Sequence, residues 1–174
     1  QTMTKGFRVF AAILASAALC ACSPAPNSDI YANGLVFCSE SNPSSFNPQL
    51  DTSGTTADAS AHQIYDRLLD FDTETGNIVP GLADSWPVSG DGLVYTFQLK
   101  RRVAFHTTPY FTPSRTFNAD DVLFSINRWR QAEHPYHDVS GGFYPYFQSL
   151  DLADNIAAVK RINGYRVEIH LAQP

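Results

Sequence analysis

The sequence predicts a mixed α/β fold of the α+β kind, and three observations support this. Two hairpin patterns, around "GDG" at residues 90–92 and around Asn163-Gly164, have alternating apolar residues beside a tight turn. An amphipathic helix pattern lies between them, at about residues 119–130. Strands and helices do not alternate in a regular βαβ rhythm, which argues against a doubly wound parallel sheet.

Residues 1–22 predict a signal peptide rather than part of the fold. Lys5 and Arg8 precede "VFAAILASAAL", an apolar run too short to span a bilayer comfortably. The run leads into "LCAC", which looks like a lipobox with Cys22 as the lipidated residue. Simple secretion, with cleavage after "ASA", is the alternative. Both interpretations predict export from the cytoplasm.

The segments after the signal peptide follow local patterns. Residues 23–33 are polar and contain proline, as a flexible tether does, and "GLVFC" (34–38) predicts a short buried strand. Residues 39–56 predict a loop, and residues 57–69 predict a helix capped by Thr55 or Thr56. Ile64, Tyr65, Leu68 and Leu69 have helical spacing within that segment.

Turns and short strands fill the middle of the chain. Thr75-Gly76-Asn77 predicts a turn, and Asp91-Gly92 supplies the positive φ of a hairpin turn. "VAFH" (103–106) predicts a further short strand, and a proline-rich loop follows it.

The stretch "FNADDVLFSINRW" places two adjacent carboxylates, Asp120 and Asp121, before an apolar run. They could form an acid/base pair, half of a metal site or the first turn of a helix. Adjacent helical residues point about 100° apart, which is poor geometry for sharing a proton or a metal. Asn118 is the expected N-cap, so we interpret the aspartates as a helix start.

Charge and cysteine content narrow the function classes. Of 12 basic residues two lie in the leader, which leaves ten against 17 acidic ones and a net charge of −7. An acidic chain does not favour nucleic acid as a partner, and Lys100–Arg102 is typical of a solvated strand end. Cys20 would be removed with the signal peptide and Cys22 would carry the lipid, so Cys38 would be the remaining free thiol. It is either buried as a small apolar residue or paired with a cysteine beyond residue 174.

Other candidate chemistry is weak. His134 and His137 are three apart but have no acid or cysteine at compatible spacing, so no metal or other cofactor is predicted. Gly141-Gly142 lacks the lysine of a phosphate loop, and Ser140 does not sit in a nucleophile elbow. The aromatic run at residues 143–147 either lines a cleft or forms a small core under a loop.

Four blocks carry a resemblance to a known family. They are "LVFCSESNPSSFNPQLDTSGTT", "IVPGLADSWPVSGDGLVYTFQLKRRVAFH", "RTFNADDVLFSINR" and "HPYHDVSGGFYPYF". In this order they resemble the bacterial extracellular solute-binding proteins of family 5, which serve peptide ABC transporters. The dipeptide-binding and antimicrobial-peptide-sensitivity types are the most similar ones.

The resemblance implies the N-terminal part of a two-lobed periplasmic-binding-protein-like fold, about a third of a whole protein. Residues 34–66 would begin lobe I, and residues 67–174 would form a subdomain of it. Thr52, Ser53 and Gly54 match a "TSG" that contributes peptide contacts in dipeptide binders. A plain loop with capping hydroxyls is the alternative for these three residues.

The resemblance also implies a function without catalysis. The protein would capture di- or oligopeptides in the periplasm, deliver them to permease subunits and be held to the membrane by a lipid at Cys22. A haem-binding or other solute-binding member of the family is the first alternative, and a secreted hydrolase is a remote one.

Overall fold

The computed structural model describes residues 33, 34, 36 and 38–174. The chain divides into two units, Gln1–Cys38 and Ser39–Pro174, and the second unit contains both sheets and both hydrophobic cores. The predicted signal peptide and nearly all of the predicted tether lie outside the described residues. Part of the strand predicted at residues 34–38 also lies outside the described residues. Its three described residues, Gly34, Val36 and Cys38, are not in a strand.

The secondary structure of the second unit consists of short strands, one long helix and several short helices. The strands are β1 (Leu69–Phe71), β2 (Ile78–Pro80), β3 (Ala83–Ser85), β4 (Val94–Leu99), β5 (Ile156–Asn163) and β6 (Arg166–Leu171). The helices are α1 (Gly54–Thr56), α2 (Ala119–Arg130), α3 (Pro145–Ser149) and α4 (Leu152–Asn155). A π-helical turn, Ala57–Ala61, continues α1, and a 3-10 turn lies at Asp138–Ser140.

The strands form two antiparallel sheets. β1 and β2 make a two-stranded sheet, and the order in the larger sheet is β3-β4-β6-β5. In the larger sheet Phe97 lies opposite Val167, and Tyr95 lies opposite Ile169. Antiparallel sheets with helices packed beside them confirm the predicted α+β class.

Both predicted hairpins are present. Gly92 has φ +75°, and the Ser89 N–H donates to the Val94 carbonyl at 2.9 Å across the turn. The second hairpin joins β5 to β6 through Gly164 and Tyr165. Both turns therefore join antiparallel segments, as the alternating apolar residues predict, with register shifts along β3 and β5.

Helix α2 begins at the predicted cap. The Asn118 side chain accepts from the Asp120 N–H at 2.8 Å, and the Asp121 carboxylate accepts from the Asn118 N–H at 2.9 Å. The apolar stripe of Val122, Ile126 and Trp129 faces inward, with Val122 and Trp129 buried.

Two hydrophobic cores hold the unit together. The first lies between α2 and the larger sheet, and its buried residues are Ala83, Phe97, Leu99, Phe117, Ala119, Val122 and Val167. The second is built on Trp129, Tyr144 and Ile156, with the ring of Phe147 stacked on Trp129 at 4.3 Å between centroids. Because α2 contributes to both cores, it connects the sheet to the loops that follow the helix.

The helix predicted at residues 57–69 is wrong in extent and in its cap. Helical structure starts at Gly54 with Ser53 as the N-cap and ends with the π turn at Ala61. Beyond it, the Leu82 and Ala83 N–H groups donate to the carbonyls of Arg67 and Leu68, and Leu69 enters β1. Pairing with residues 80–83 therefore overrides the helical spacing of the leucines.

The strand predicted at residues 103–106 is also wrong. These residues are irregular, and Phe105 is exposed. Arg102 has φ +60°, a left-handed conformation that turns the chain out of line with β4. One backbone bond remains, from the Phe117 N–H to the Val103 carbonyl at 2.9 Å, and a single bond does not make a strand.

Candidate functional site

The loop before α1 is organised around the carboxylate of Asp51. Oδ1 accepts from the Ser53 N–H at 2.9 Å, while Oδ2 accepts from the hydroxyls of Ser53 at 2.7 Å and Thr56 at 2.5 Å. The Ser44 hydroxyl also donates to Oδ2. These bonds join residues up to seven positions before and five after the aspartate.

The same hydrogen bonds fix the charge of Asp51. The hydroxyls of Ser44 and Thr56, followed by the N–H and hydroxyl of Ser53, hold the pKa of the Asp51 carboxyl well below its usual range. Each donor stabilises the ionised form. The carboxylate is therefore charged throughout the physiological pH range.

The three predicted site residues differ in exposure. Thr52 and Gly54 are exposed, and a Cβ added at Gly54 would meet nothing within 4 Å. Ser53 is half-buried, and its hydroxyl accepts from the Thr56 N–H at 3.3 Å as the cap of α1. Thr52 and Gly54 thus present free surface to solvent, while Ser53 holds the turn between them.

The loop has a firm base. Thr56 and Ser60 are fully buried, and the Ser60 hydroxyl donates to the Thr56 carbonyl at 2.5 Å. Leu50 packs against the second core. The segment that exposes Thr52 and Gly54 is consequently fixed on both sides.

Sequence reasoning did not identify Asp51. An aspartate two residues before a serine is a signal for an Asx turn, which the Ser53 N–H bond to Oδ1 confirms. No sequence pattern of neighbouring residues predicts that the hydroxyls of Ser44 and Thr56 both donate to Asp51 Oδ2.

The paired aspartates of α2 do not form a shared site. Asp121 makes two bonds with the Arg115 guanidinium, at 2.7 and 2.9 Å, while Asp120 lies 3.0 Å from Arg161. Burial, which raises the pKa of the Asp121 carboxyl, is outweighed by Arg115 and the Asn118 N–H, and the pKa is lowered. The carboxylates therefore act as helix cap and ion-pair partners.

Both histidines of "HPYH" bond to backbone. His137 Nδ1 lies 2.7 Å from the Arg128 carbonyl, and His134 Nδ1 accepts from the Tyr136 N–H at 3.2 Å. Among the residues that the structure describes, no three His, Cys, Asp or Glu side chains come together as metal ligands. The two backbone bonds of these histidines help to hold the loop after α2.

The aromatic run at residues 143–147 is divided between core and surface. Tyr144 is buried and donates from its hydroxyl to the His137 carbonyl at 2.8 Å, and Phe147 packs on Trp129. Phe143 and Tyr146 are exposed. The interpretation as a small core under a loop thus holds for half of the run.

An open cavity of about 250 Å³ lies at the start of α2. Its lining residues are Phe105, Phe111, Pro113, Ser114, Arg115 and Asp121. It includes none of the predicted ligand-binding residues.

Cys38 is exposed and forms no disulfide within the described part of the chain. Its exposure contradicts the interpretation as a buried apolar residue. Cys22 lies outside the described residues. Over the residues that are described, no helix has both the length and the apolar character needed to cross a membrane.

The chain is similar in sequence to a known protein family and to several characterised proteins. Residues 77–174 match the family described as bacterial extracellular solute-binding proteins, family 5 middle. The chain is 48% identical over 145 residues to the dipeptide-binding protein of Escherichia coli K12, which covers 83% of this chain and 27% of that protein. It is 44% identical over 168 residues to the peptide transport periplasmic protein SapA of Salmonella typhimurium, covering 95% of this chain and 31% of that one.

Two further relatives are similar to most of this chain, and one of them is named for a different ligand. The heme-binding protein A of Haemophilus influenzae is 45% identical over 139 residues, covering 80% of this chain and 25% of its own length. The crystal structure of a Pseudoalteromonas dipeptide-binding protein in complex with Met-Leu superposes with a TM-score of 0.77 at 46% identity. That superposition covers 80% of this chain and 28% of the other. The chain therefore spans about a third or less of the length of these relatives.

Proposed function

Since the chain belongs to the bacterial extracellular solute-binding proteins of family 5, we propose that the protein of which it is part binds short peptides in the periplasm. The observation that carries the proposal is its 48% identity to a dipeptide-binding protein, together with the fit to the Met-Leu complex. The protein holds its ligand without breaking a bond. It delivers the peptide to permease subunits of an ABC transporter, and two lobes close around the bound peptide.

Within this function Thr52, Ser53 and Gly54 contribute to the peptide site. Thr52 and Gly54 are exposed on a loop that Asp51 fixes, so a hydroxyl and a backbone free of a side chain are available to a ligand. Ser53 acts through its cap on α1, because its hydroxyl is already engaged. A binding loop on a fixed base is a common arrangement in ligand-binding proteins.

A matched pair of glycine variants tests this site. In the full-length protein Gly54→Val adds bulk where the chain itself leaves open space, and Gly90→Val does the same at a hairpin turn far along the sequence. We expect Gly54→Val to weaken Met-Leu binding at least about tenfold by calorimetry, while Gly90→Val changes it by less than about twofold. If both variants bind Met-Leu as tightly as the wild type, residues 52–54 do not contribute to the peptide site.

A haem ligand is the second candidate, because one relative at 45% identity is named a heme-binding protein. Thermal-shift measurements on the full-length protein separate the two. Stabilisation by dipeptides and not by haemin supports the peptide proposal, since a ligand that binds the native state raises Tm. Stabilisation by haemin alone would overturn it. Release of free amino acids from a bound dipeptide would instead favour the remote hydrolase alternative.

We also propose that residues 1–22 are a lipoprotein signal, with Cys22 acylated and residues 23–33 forming a tether. The support is the pattern of Lys5, Arg8, the apolar run and "LCAC". A Cys22→Ser variant is expected to move from the membrane fraction to the soluble periplasmic fraction, and to lose palmitate labelling. A wild-type protein that is found in the soluble periplasmic fraction without palmitate labelling would argue for simple secretion.

For the domain organisation we propose that residues 34–66 begin lobe I and residues 67–174 form one subdomain of it. The larger sheet, helix α2 and the first core all lie within residues 67–174. Leu50 packs against the second core and so links the earlier segment to the subdomain.

A further inference from the structure

We infer that Asp51 is a positioning residue for peptide binding: its carboxylate holds the loop so that Thr52 and Gly54 face the ligand. The inference rests on the proposed peptide-binding function. Asp51 itself is not proposed to touch the peptide. It acts through the residues on either side of it.

The geometry assigns Asp51 this role because it joins parts of the chain that are not neighbours. Ser44 lies seven residues before it and Thr56 five residues after it, and both donate to the same oxygen. Thr56 is fully buried, so one end of the connection lies in the interior of the unit. The Ser45 N–H, 3.4 Å from the Thr56 hydroxyl, adds a second connection between the same two segments.

The bonds at Asp51 Oδ2 engage that oxygen fully in holding the loop. Oδ2 already accepts from three hydroxyls, and a carboxylate oxygen offers about two lone pairs. An ammonium group that binds at Oδ2 would have to displace at least one of them. The gain for binding is therefore preorganisation: a loop already ordered loses less conformational entropy when the ligand arrives.

Asp72 provides a matched control in the same chain. Its carboxylate accepts from the Glu74 N–H at 2.9 Å, the Thr75 N–H at 3.3 Å and the Thr75 hydroxyl at 2.8 Å. All these partners belong to one turn between β1 and β2. Asp72 therefore has similar chemistry without connecting distant segments.

The test uses the full-length protein with Met-Leu as the probe. We expect Asp51→Ala to weaken Met-Leu binding by about tenfold and Asp72→Ala by less than about twofold. Asp51→Asn should recover part of the affinity, because hydroxyls can reverse their hydrogen bonds toward an amide. In the ligand-free protein, hydrogen exchange at the amides of residues 53–56 should accelerate in Asp51→Ala, while exchange in the core strands β4 and β6 stays unchanged.

The outcomes separate the inference from the function on which it rests. A wild-type protein that binds no dipeptide overturns the proposed function. A wild-type protein that binds, with Asp51→Ala binding equally well despite faster exchange at residues 53–56, overturns only the positioning role. If Asp51→Ala does not fold, Ser44→Ala decides, because Ser44 is exposed and supplies one donor: weaker binding supports the inference, and unchanged binding contradicts it.

Discussion

Asp120 and Asp121 are neighbours in sequence and yet pair with different arginines, Arg161 and Arg115. The helix explains the separation, since adjacent side chains diverge by about 100°. The Asp121 carboxylate also caps the Asn118 N–H, which ties it to the start of α2. At the scale of the residue, these carboxylates stabilise a helix terminus.

The cap residue gives the first prediction. Asn118→Ala removes the acceptor of the Asp120 N–H and should lower the free energy of unfolding by about 1 kcal/mol. Denaturant unfolding of the full-length protein measures the loss. Met-Leu affinity should stay unchanged, because the cap is separate from residues 52–54. A large affinity loss at unchanged stability would contradict the structural role of Asn118.

The second prediction is the pH dependence of the pair between Asp121 and Arg115. The pKa of Asp121 is lower in the folded than in the unfolded chain, so its contribution is fully present above the unfolded value of about 4 and is lost as the pH falls through the folded value. Asp121→Asn should destabilise the protein by about 0.5–1 kcal/mol at pH 7. The difference between wild type and variant should shrink below about pH 4.

Asp120→Asn is the control for this pH dependence. The Asp120 side chain is 53% exposed, against 26% for Asp121, and it has no capping bond. Chemical unfolding at pH 3, 5 and 7 compares the two variants. A difference for Asp121→Asn that is as large at pH 3 as at pH 7 would show that the ion pair is not its source.

At the scale of the element, the sequence predicted correctly those helices and turns that depend on interactions between residues close together in the chain. Helix α2 was predicted with its cap and its bounds, because Asn118 and the stripe of Val122, Ile126 and Trp129 are complete within thirteen residues. The segment of residues 57–69 was predicted wrongly, because the helical spacing of Leu68 and Leu69 is overridden by backbone pairing. Its backbone pairing with residues 80–83 is a long-range contact that no local pattern reveals.

That long-range contact yields the third prediction. A Cβ at Gly81 would lie 2.3 Å from the Arg67 carbonyl oxygen and 3.0 Å from that of Leu68. Gly81→Ala should therefore force the two segments apart and cost about 1–3 kcal/mol, seen as a lower Tm. Gly90→Ala, where a Cβ meets open space, should change stability by less than about 0.5 kcal/mol. Equal Tm values for the two variants would show that Gly81 is not needed for the close approach.

At the scale of the whole molecule, the sequence led to the family through long motifs, and the α+β class followed from its hairpins. The candidate site was predicted only in part: Thr52 and Gly54 are exposed as a ligand contact requires, whereas Asp51 was missed. The chain covers 27% of the first of its two reported relatives and 31% of the second, so most of the length of those two proteins has no counterpart in this sequence.

The fourth prediction concerns residues 39–174 expressed alone. Large apolar side chains are exposed between residues 124 and 150, including Val139 at 68% and Phe143 at 62%. Exposed apolar surface of this kind promotes association. The outer strand β5 carries Lys160 and Arg161, charges that disfavour edge-to-edge pairing. Self-association should therefore proceed through apolar side chains.

Sedimentation velocity across a range of protein concentrations measures this association. We expect the unit of residues 39–174 to form oligomers and to unfold without a sharp transition. Val139→Ser combined with Phe143→Ser should reduce association, because both side chains are exposed and contribute little to the cores. Tyr144→Ser is the opposite control, since it empties a buried position of the second core and should unfold the unit. A monomeric wild-type unit with a cooperative transition would contradict this prediction and show that residues 39–174 fold independently.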